Sequence, residues 1–166
     1  MIEKFLPILI EENTQIMLIC DEDNYKGALE KTDGLGKFRL LGYAIFNQII
    51  DEGDIDVRKV EYKDNSKKNI DNLVSKGKYI VDIREISEYK QTDIIKGSHS
   101  IPLSEFKDRY NELPKKGEIY VLCKTGVRAT VAMTFAKKGY SNKFQIIEKG
   151  IEKTIEEGYH LVEYEE

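Results

Sequence analysis

Glu118-Ile-Tyr-Val-Leu-Cys123-Lys-Thr-Gly126-Val-Arg128 is a short apolar run that ends on a cysteine and breaks at once into a polar, glycine-containing loop. After Glu118, residues 119–122 have the uninterrupted apolar character of a strand buried on both faces of a sheet, so the chain is expected to carry Cys123 to a strand's C-terminal end. Loop residues 124–128 can turn their backbone N–H groups inward as an anion-binding nest, and Gly126 supplies the torsional freedom that a tight nest requires. The helix predicted to follow adds the positive end of its dipole. Such surroundings favour a thiolate over a thiol. A cysteine after an apolar strand is more often a small buried hydrophobe. Glycine at +3 and arginine at +5 from the cysteine argue for chemistry instead.

Outward from this run the pattern alternates strand and helix with short links, as an α/β layer fold with a mainly parallel central sheet requires. Downstream, Val127, Val131 and Phe135 fall at helical spacing with Ala132 and Ala136 beside them. Lys137 and Lys138 suit that helix's last turn, and Gly139 its stop. Residues 144–147 read as a strand, Gly150 as a turn, 151–157 as a short helix stopped by Gly158, and 160–162 as a final extended piece. Upstream, Pro114 to Gly117 is a turn. Before it lies a helix with Ser104 as N-cap and Phe106, Tyr110 and Leu113 on its packing side. A bend at Gly97 leads to a short strand ending at Pro102. Residues 79–81 are an apolar strand closed by Asp82-Ile-Arg84-Glu85, with one helical turn at 86–90. Residues 60–63 are a short strand, and Ser66 and Gly77 bracket a helix whose Ile70, Leu73 and Val74 share one face.

The first 57 residues form a separate extension. Residues 5–10 and 15–20 read as strands, Pro7 pushing the first toward a sheet edge, and residues 38–50 read as a helix with Leu41, Ala44, Ile45 and Ile49 on one face. A small ββα or βαβ unit follows from this pattern. It would serve as a subdomain, a cap on the sheet or a homodimerisation element. The expected domains are therefore 1–57 and 58–166.

With 166 residues, 40% of them hydrophobic, the chain can bury a real core. The formal charge of −4 comes from 34% charged residues of mixed sign spread over both halves, which argues against a nucleic-acid partner. The apolar runs are shorter than a membrane span, and the N-terminus has no basic stretch with a small-residue cleavage site, so a cytoplasmic protein without membrane contact is expected. Two cysteines make no disulfide framework, and a lone functional thiol suits a reducing compartment. Cys20 reads as inert, or as a resolving partner for Cys123 should the fold bring the two together. His99 and His160 are isolated, so neither a metal nor another cofactor is expected. Asp21-Glu22-Asp23 reads as a solvated turn. Gly34-Leu-Gly36-Lys37 is not a P-loop, because Lys31 stands where the leading glycine belongs and Phe38 follows the lysine.

From about residue 58 to the C-terminus the chain resembles the rhodanese-like sulfurtransferase family. Tyr79-Ile-Val-Asp82-Ile-Arg84-Glu85 with Glu88-Tyr89 resembles that family's apolar Asp-Val-Arg-Glu segment, and Gly97-Ser-His-Ser-Ile-Pro102 resembles its Gly-Ala-x-Asn-Ile-Pro segment. Cys123 to Arg128 resembles the active-site loop, and Lys149-Gly150-Ile151 the closing Gly-Gly turn. The chain departs from the family pattern at Ile94, where histidine is common, at Lys149, where glycine is usual, and at Thr154, where tryptophan is common.

The resemblance implies a rhodanese-like three-layer fold and transfer of sulfane sulfur through a persulfide on Cys123. The donor would be a small anion such as thiosulfate; the acceptor would be a thiol, cyanide or a protein. The amides of Lys124, Thr125, Gly126, Val127 and Arg128 would hold the sulfur, while the Lys124 and Arg128 side chains offer charge to the donor. Arg128 could instead fold back to brace the loop. Asp82 and Arg84 would support the loop structurally. A dedicated persulfide carrier or a regulatory binding module would use the same scaffold. Cysteine phosphatases place five residues between cysteine and arginine and usually a histidine before the cysteine. Here there are four, and Leu122 precedes Cys123.

Overall fold

The computed structural model describes residues 12–33, 38–51, 61–135 and 143–165. The strand expected at 5–10, the Gly34 to Lys37 segment and the helix end at Lys137 to Gly139 lie outside these residues. The chain divides into two compact units, Met1–Lys59 and Val60–Glu166.

In the first unit, β1 (Thr14–Cys20), α1 (Tyr25–Asp33), β2 (Phe38–Ile45) and α2 (Phe46–Asp51) follow one another, with β1 and β2 paired in parallel. The helix expected over 38–50 is thus corrected to a strand followed by a shorter helix. Its period is two rather than 3.6: Phe38, Leu40, Gly42 and Ala44 are half-buried while Arg39, Leu41 and Tyr43 face outward. Gly42 would cost a helix interior about 1 kcal/mol relative to alanine, and aromatic residues suit a pleated surface. The longer of the two helices described in this unit is α1, which carries Gly27 in its interior and gives a weak sequence signal for that reason. Asp21, Glu22 and Asp23 form an exposed turn between β1 and α1.

The second unit contains β3 (Glu61–Lys63), α3 (Lys67–Ser75), β4 (Tyr79–Asp82), α4 (Ile86–Thr92), β5 (His99–Ser100), α5 (Leu103–Arg109), β6 (Glu118–Leu122), α6 (Val127–Phe135), β7 (Lys143–Ile147) and α7 (Gly150–Glu156). Its five strands are ordered β3-β7-β6-β4-β5, and every pair is parallel. The register sets Ile80 beside Tyr120 and Val81 beside Val121, so alternate residues feed opposite layers of the core. Ile80, Tyr120, Leu122 and Ile147 pack with Ile70 and Leu73 of α3, Ile151 of α7, Ile95 and Tyr159. The inner strands β4 and β6 are buried on both faces, which is why they read as apolar runs, whereas the edge strands β3 and β5 are largely exposed.

Local chemistry sets the helix ends. At the end of α3 the Gly77 amide donates to Val74 and the Lys78 amide to Leu73, with Gly77 at φ 59°, a complete Schellman closure. Ser66 stands at that helix's N-cap, but its hydroxyl bonds the Asp64 carboxylate at 3.0 Å. Two expectations are corrected here. Helix α5 starts at Leu103, with Pro102 rather than Ser104 at the N-cap, because the proline's φ of −51° already turns the chain into the helix. Helix α6 buries Ala129, Ala132 and Met133 while Val127 is exposed. The small alanines let it approach α5 and β7 closely.

At the end of β4, Asp82 and Arg84 are each 1% exposed and joined by an ion pair of 2.7 Å. Arg84 reaches both Asp82 oxygens and also donates to Thr92 Oγ1 at 2.5 Å and the Asp93 carbonyl at 2.7 Å. Its guanidinium lies 5.1 Å from the Tyr89 ring centre, and the Tyr89 hydroxyl donates to the Asp82 carbonyl. Burial pushes the Asp82 carboxyl upward, against the Arg84 hydrogen bonds that hold it down. No helix among the described residues is long and apolar enough to cross a membrane.

Removing one member of this buried pair strands the other charge. Arg84→Met is expected to lower stability by about 3–5 kcal/mol in urea denaturation, and the double change Asp82→Leu/Arg84→Met by clearly less. Equal losses for the two proteins would show that the charge pairing is not what matters there.

Candidate functional site

Cys123 follows the last residue of the central strand β6 and is fully buried. The Gly126 amide donates to its Sγ at 3.1 Å. Gly126 has φ 92°, outside the range comfortable for a side chain, and its carbonyl accepts the Thr130 amide at the start of α6. The sulfur therefore sits at the positive end of a nine-residue helix. Thr125 and Val127 are exposed on the loop.

The loop is held from behind by α7. The Ile151 amide donates to the Cys123 carbonyl at 2.8 Å and the Glu152 amide to the Lys124 carbonyl at 3.3 Å. Both peptides are trans, so engaging these carbonyls turns the Lys124 and Thr125 amides to the opposite side of the loop. Contact this close requires Gly150: a Cβ there would lie 2.1 Å from the Cys123 carbonyl oxygen and 2.6 Å from that of Lys124. Gly150 is at φ 62°, and Lys149 before it is also left-handed at φ 55°. Thr154, fully buried in α7, donates its hydroxyl to the Gly150 carbonyl at 3.1 Å and occupies its packing position without an aromatic ring.

Both loop cations are engaged by carboxylates. Arg128 donates to Glu88 through Nη1 at 2.5 Å and Nη2 at 2.7 Å, a bidentate pair with side chains 14% and 26% exposed. Glu88 also accepts the Glu85 amide at 3.0 Å, which closes the first turn of α4. Glu85 in turn accepts the hydroxyl of Ser104 at 2.8 Å and its amide at 3.3 Å, tying α4 to the start of α5. The Arg128 hydrogen bonds hold the Glu88 carboxyl down to about 2, despite some burial, and the Glu88 carboxylate raises the Arg128 guanidinium, with a smaller contribution from Cys123. Lys124, more than half exposed, pairs with Glu152 at 3.3 Å.

Of the loop residues 124–128, the Gly126 amide contacts the Cys123 sulfur, and the Asp82–Arg84 pair stands at the adjoining strand end, where Asp82 registers with Leu122. Sequence reasoning read Gly150 as a turn without its close approach to the loop, and did not assign roles to Glu85, Glu88 and Glu152. The i, i+3 spacing of Glu85 and Glu88 at a helix start was a usable signal for the first two. No signal announced Glu152. Cys20 belongs to the other compact unit, at the C-terminal end of β1. Among the described residues, no group of three His, Cys, Asp or Glu side chains is placed to hold a metal ion.

The family profile described as Rhodanese-like domain matches residues 61–157. Two curated proteins of Bacillus subtilis (strain 168) are similar to the chain. "Putative sulfur carrier protein YrkF" is 39% identical over 69 residues, covering 41% of this chain and 37% of that protein. A second, "Uncharacterized protein YqhL", is 32% identical over 68 residues, covering 40% of this chain and 53% of its own length. The chain therefore spans about a third to a half of these relatives. Among solved structures, a rhodanese-related protein from Thermoplasma volcanium is 27% identical with a TM-score of 0.54, covering 63% of this chain and 99% of that one. A thiosulfate sulfurtransferase from Pseudomonas aeruginosa shares the fold at 18% identity and a TM-score of 0.52, covering 99% of this chain and 35% of that one.

Two outcomes follow from this geometry. Gly150→Ala forces α7 off the Cys123 and Lys124 carbonyls and is expected to cost about 3 kcal/mol or more in urea denaturation; a loss under about 1 kcal/mol would mean the loop is not braced there. Because folding depresses the Glu88 carboxyl, its contribution is complete above the ordinary carboxyl value near 4.5 and is lost as pH falls toward about 2. The stability gap between the native protein and Glu88→Gln, about 1–2 kcal/mol at neutral pH after solvent screening, should close across that window. A gap that stays constant to pH 2 would count against the ion pair as its source.

Proposed function

This chain belongs to the rhodanese-like domain family, and from that premise we propose that its Val60–Glu166 unit transfers sulfane sulfur through a persulfide on Cys123. The observation that carries the reading is the Gly126 amide donated to Cys123 Sγ at 3.1 Å, at the N-terminus of α6. A negative charge on that sulfur is met by a fixed N–H group and a helix dipole that need no rearrangement.

In the first half-reaction the Cys123 thiolate attacks the outer sulfur of the donor. A bond forms between Cys123 Sγ and that sulfur; the donor's own bond to it breaks, and the electron pair leaves with the remainder of the donor. From a persulfide the leaving group is a thiolate, and from thiosulfate it is sulfite. In the second half-reaction an acceptor thiolate or cyanide takes the outer sulfur and the electron pair returns to Cys123 Sγ. No external oxidant or reductant is needed. This is covalent nucleophilic catalysis in two steps. The loop keeps its shape through both steps because its carbonyls are tied to α7 and Arg128 to Glu88.

A second reading is favoured by a specific observation. The similarity to a Bacillus protein named as a sulfur carrier supports delivery of the Cys123 persulfide to a dedicated protein acceptor rather than to small thiols. The chemistry at Cys123 is the same in both readings.

Intact-mass measurement after incubation with a sulfane donor should show one added sulfur on the native protein and on Cys20→Ser, and none on Cys123→Ser. Turnover to thiocyanate with cyanide should be lost with Cys123→Ser. Sulfur loading that survives the Cys123 change would overturn the assignment.

A further inference from the structure

The loop contains two cations, and the structure gives each of them a carboxylate. Arg128 is held bidentate by Glu88, and Lys124 is paired with Glu152 across the edge of the loop. A hollow of about 130 Å³ opens beside Lys124, lined among others by Glu88, Gln91, Ile151, Glu152 and Ile155. Its wall brings the Glu88 and Glu152 carboxylates and two isoleucines beside the Arg84 and Lys124 cations, next to the loop. On the elements that flank the loop, Ile86, Val127 and Ile155 are exposed apolar side chains.

We propose that this site selects a thiol-borne persulfide of low charge over a dianionic donor such as thiosulfate, with Glu152 as the residue that sets the preference. The inference rests on the sulfur-transfer reading above and narrows it. The Gly126 amide and the α6 dipole answer one negative charge, that of the reacting sulfur. A dianion brings a second charge, and the cations that would meet it are already neutralised. Glu88 is committed to Arg128 and to the Glu85 amide, so it cannot turn away without opening the α4 cap. Glu152 is more than half exposed and makes a single 3.3 Å contact with Lys124. It can therefore be changed without disturbing the core, whereas its backbone amide, which holds the Lys124 carbonyl, is retained in any variant.

The magnitude follows from Coulomb's law. One carboxylate about 6 Å from a dianion in a water-like surrounding opposes it by roughly a factor of ten, and the effect weakens as added salt shortens the screening length.

The test measures kcat/KM of the full chain for thiosulfate, for cysteine persulfide and for persulfidated serum albumin as a protein-borne probe. The native protein is expected to favour one or both persulfides, and which of them is faster separates a small-molecule source from a protein source. E152Q should shift the thiosulfate-to-persulfide ratio about tenfold toward thiosulfate, mostly through KM, and the shift should shrink at high salt. E152D should restore the native ratio. A ratio unmoved by E152Q, or a shift independent of salt, overturns the proposal. Failure of every donor to load Cys123 would instead sink the sulfur-transfer reading itself.

Discussion

The hydrogen bond from the Ile151 amide to the Cys123 carbonyl holds the site together, and it exists because residue 150 has no Cβ. It ties the C-terminal end of the central strand to the start of the last helix of the sheet layer. With the carbonyl side of the loop so occupied, the opposite side is left to amides, and the Gly126 amide reaches the sulfur. Ile151 itself packs in the core with Ile80, Leu122 and Ile147. The residue that shapes the loop is therefore anchored by apolar burial at a sheet buried on both faces.

Around that anchor the ionic contacts grade from closed to open. The Asp82–Arg84 pair is sealed, with both side chains 1% exposed and most of the guanidinium's donors satisfied by fixed acceptors. The Glu88–Arg128 pair is partly open and joins two helix starts. The Lys124–Glu152 pair stands in solvent. A sealed pair can position backbone because its geometry has no alternative partner, and breaking it exposes an uncompensated charge. An exposed pair contributes little to stability but still shapes the potential that an incoming ion meets. Structural and selective roles thus fall on different pairs according to burial.

Much of this was readable in the residue order, and the reasons are specific. The strands of the parallel sheet are short apolar runs with turn residues between them, so β4, β6 and β7 stand out even without a partner in view. Cys123, Gly126 and Arg128 are adjacent in sequence, which made the loop legible as a unit. Glu152 was not, because its meaning depends on where α7 delivers its first turn, a long-range fact. The segment 38–50 misled because leucine, alanine and isoleucine satisfy a helical face as readily as an alternating strand. There Gly42 and Tyr43 were the better guides, and pairing with β1 decided the outcome. The packing face of α6 was half legible: Ala132 was placed on it and is buried, but Val127 is exposed, because periodicity weighs valine above alanine while close approach of a helix to its neighbours favours the smaller residue.

The turn at Lys149-Gly150 has two left-handed residues in succession, yet only one of them is sterically compelled to be glycine. Lys149 is exposed, so its side chain meets solvent and its backbone conformation costs on the order of 1 kcal/mol. Gly150 faces backbone that cannot retreat. The two positions of this turn therefore carry unequal evolutionary freedom: the first can drift to a polar residue at a small, repairable expense, while the second is locked for as long as the chain keeps its loop. A pattern that demands glycine at both would pass over chains like this one, in which the geometry is intact and lysine stands at the first position.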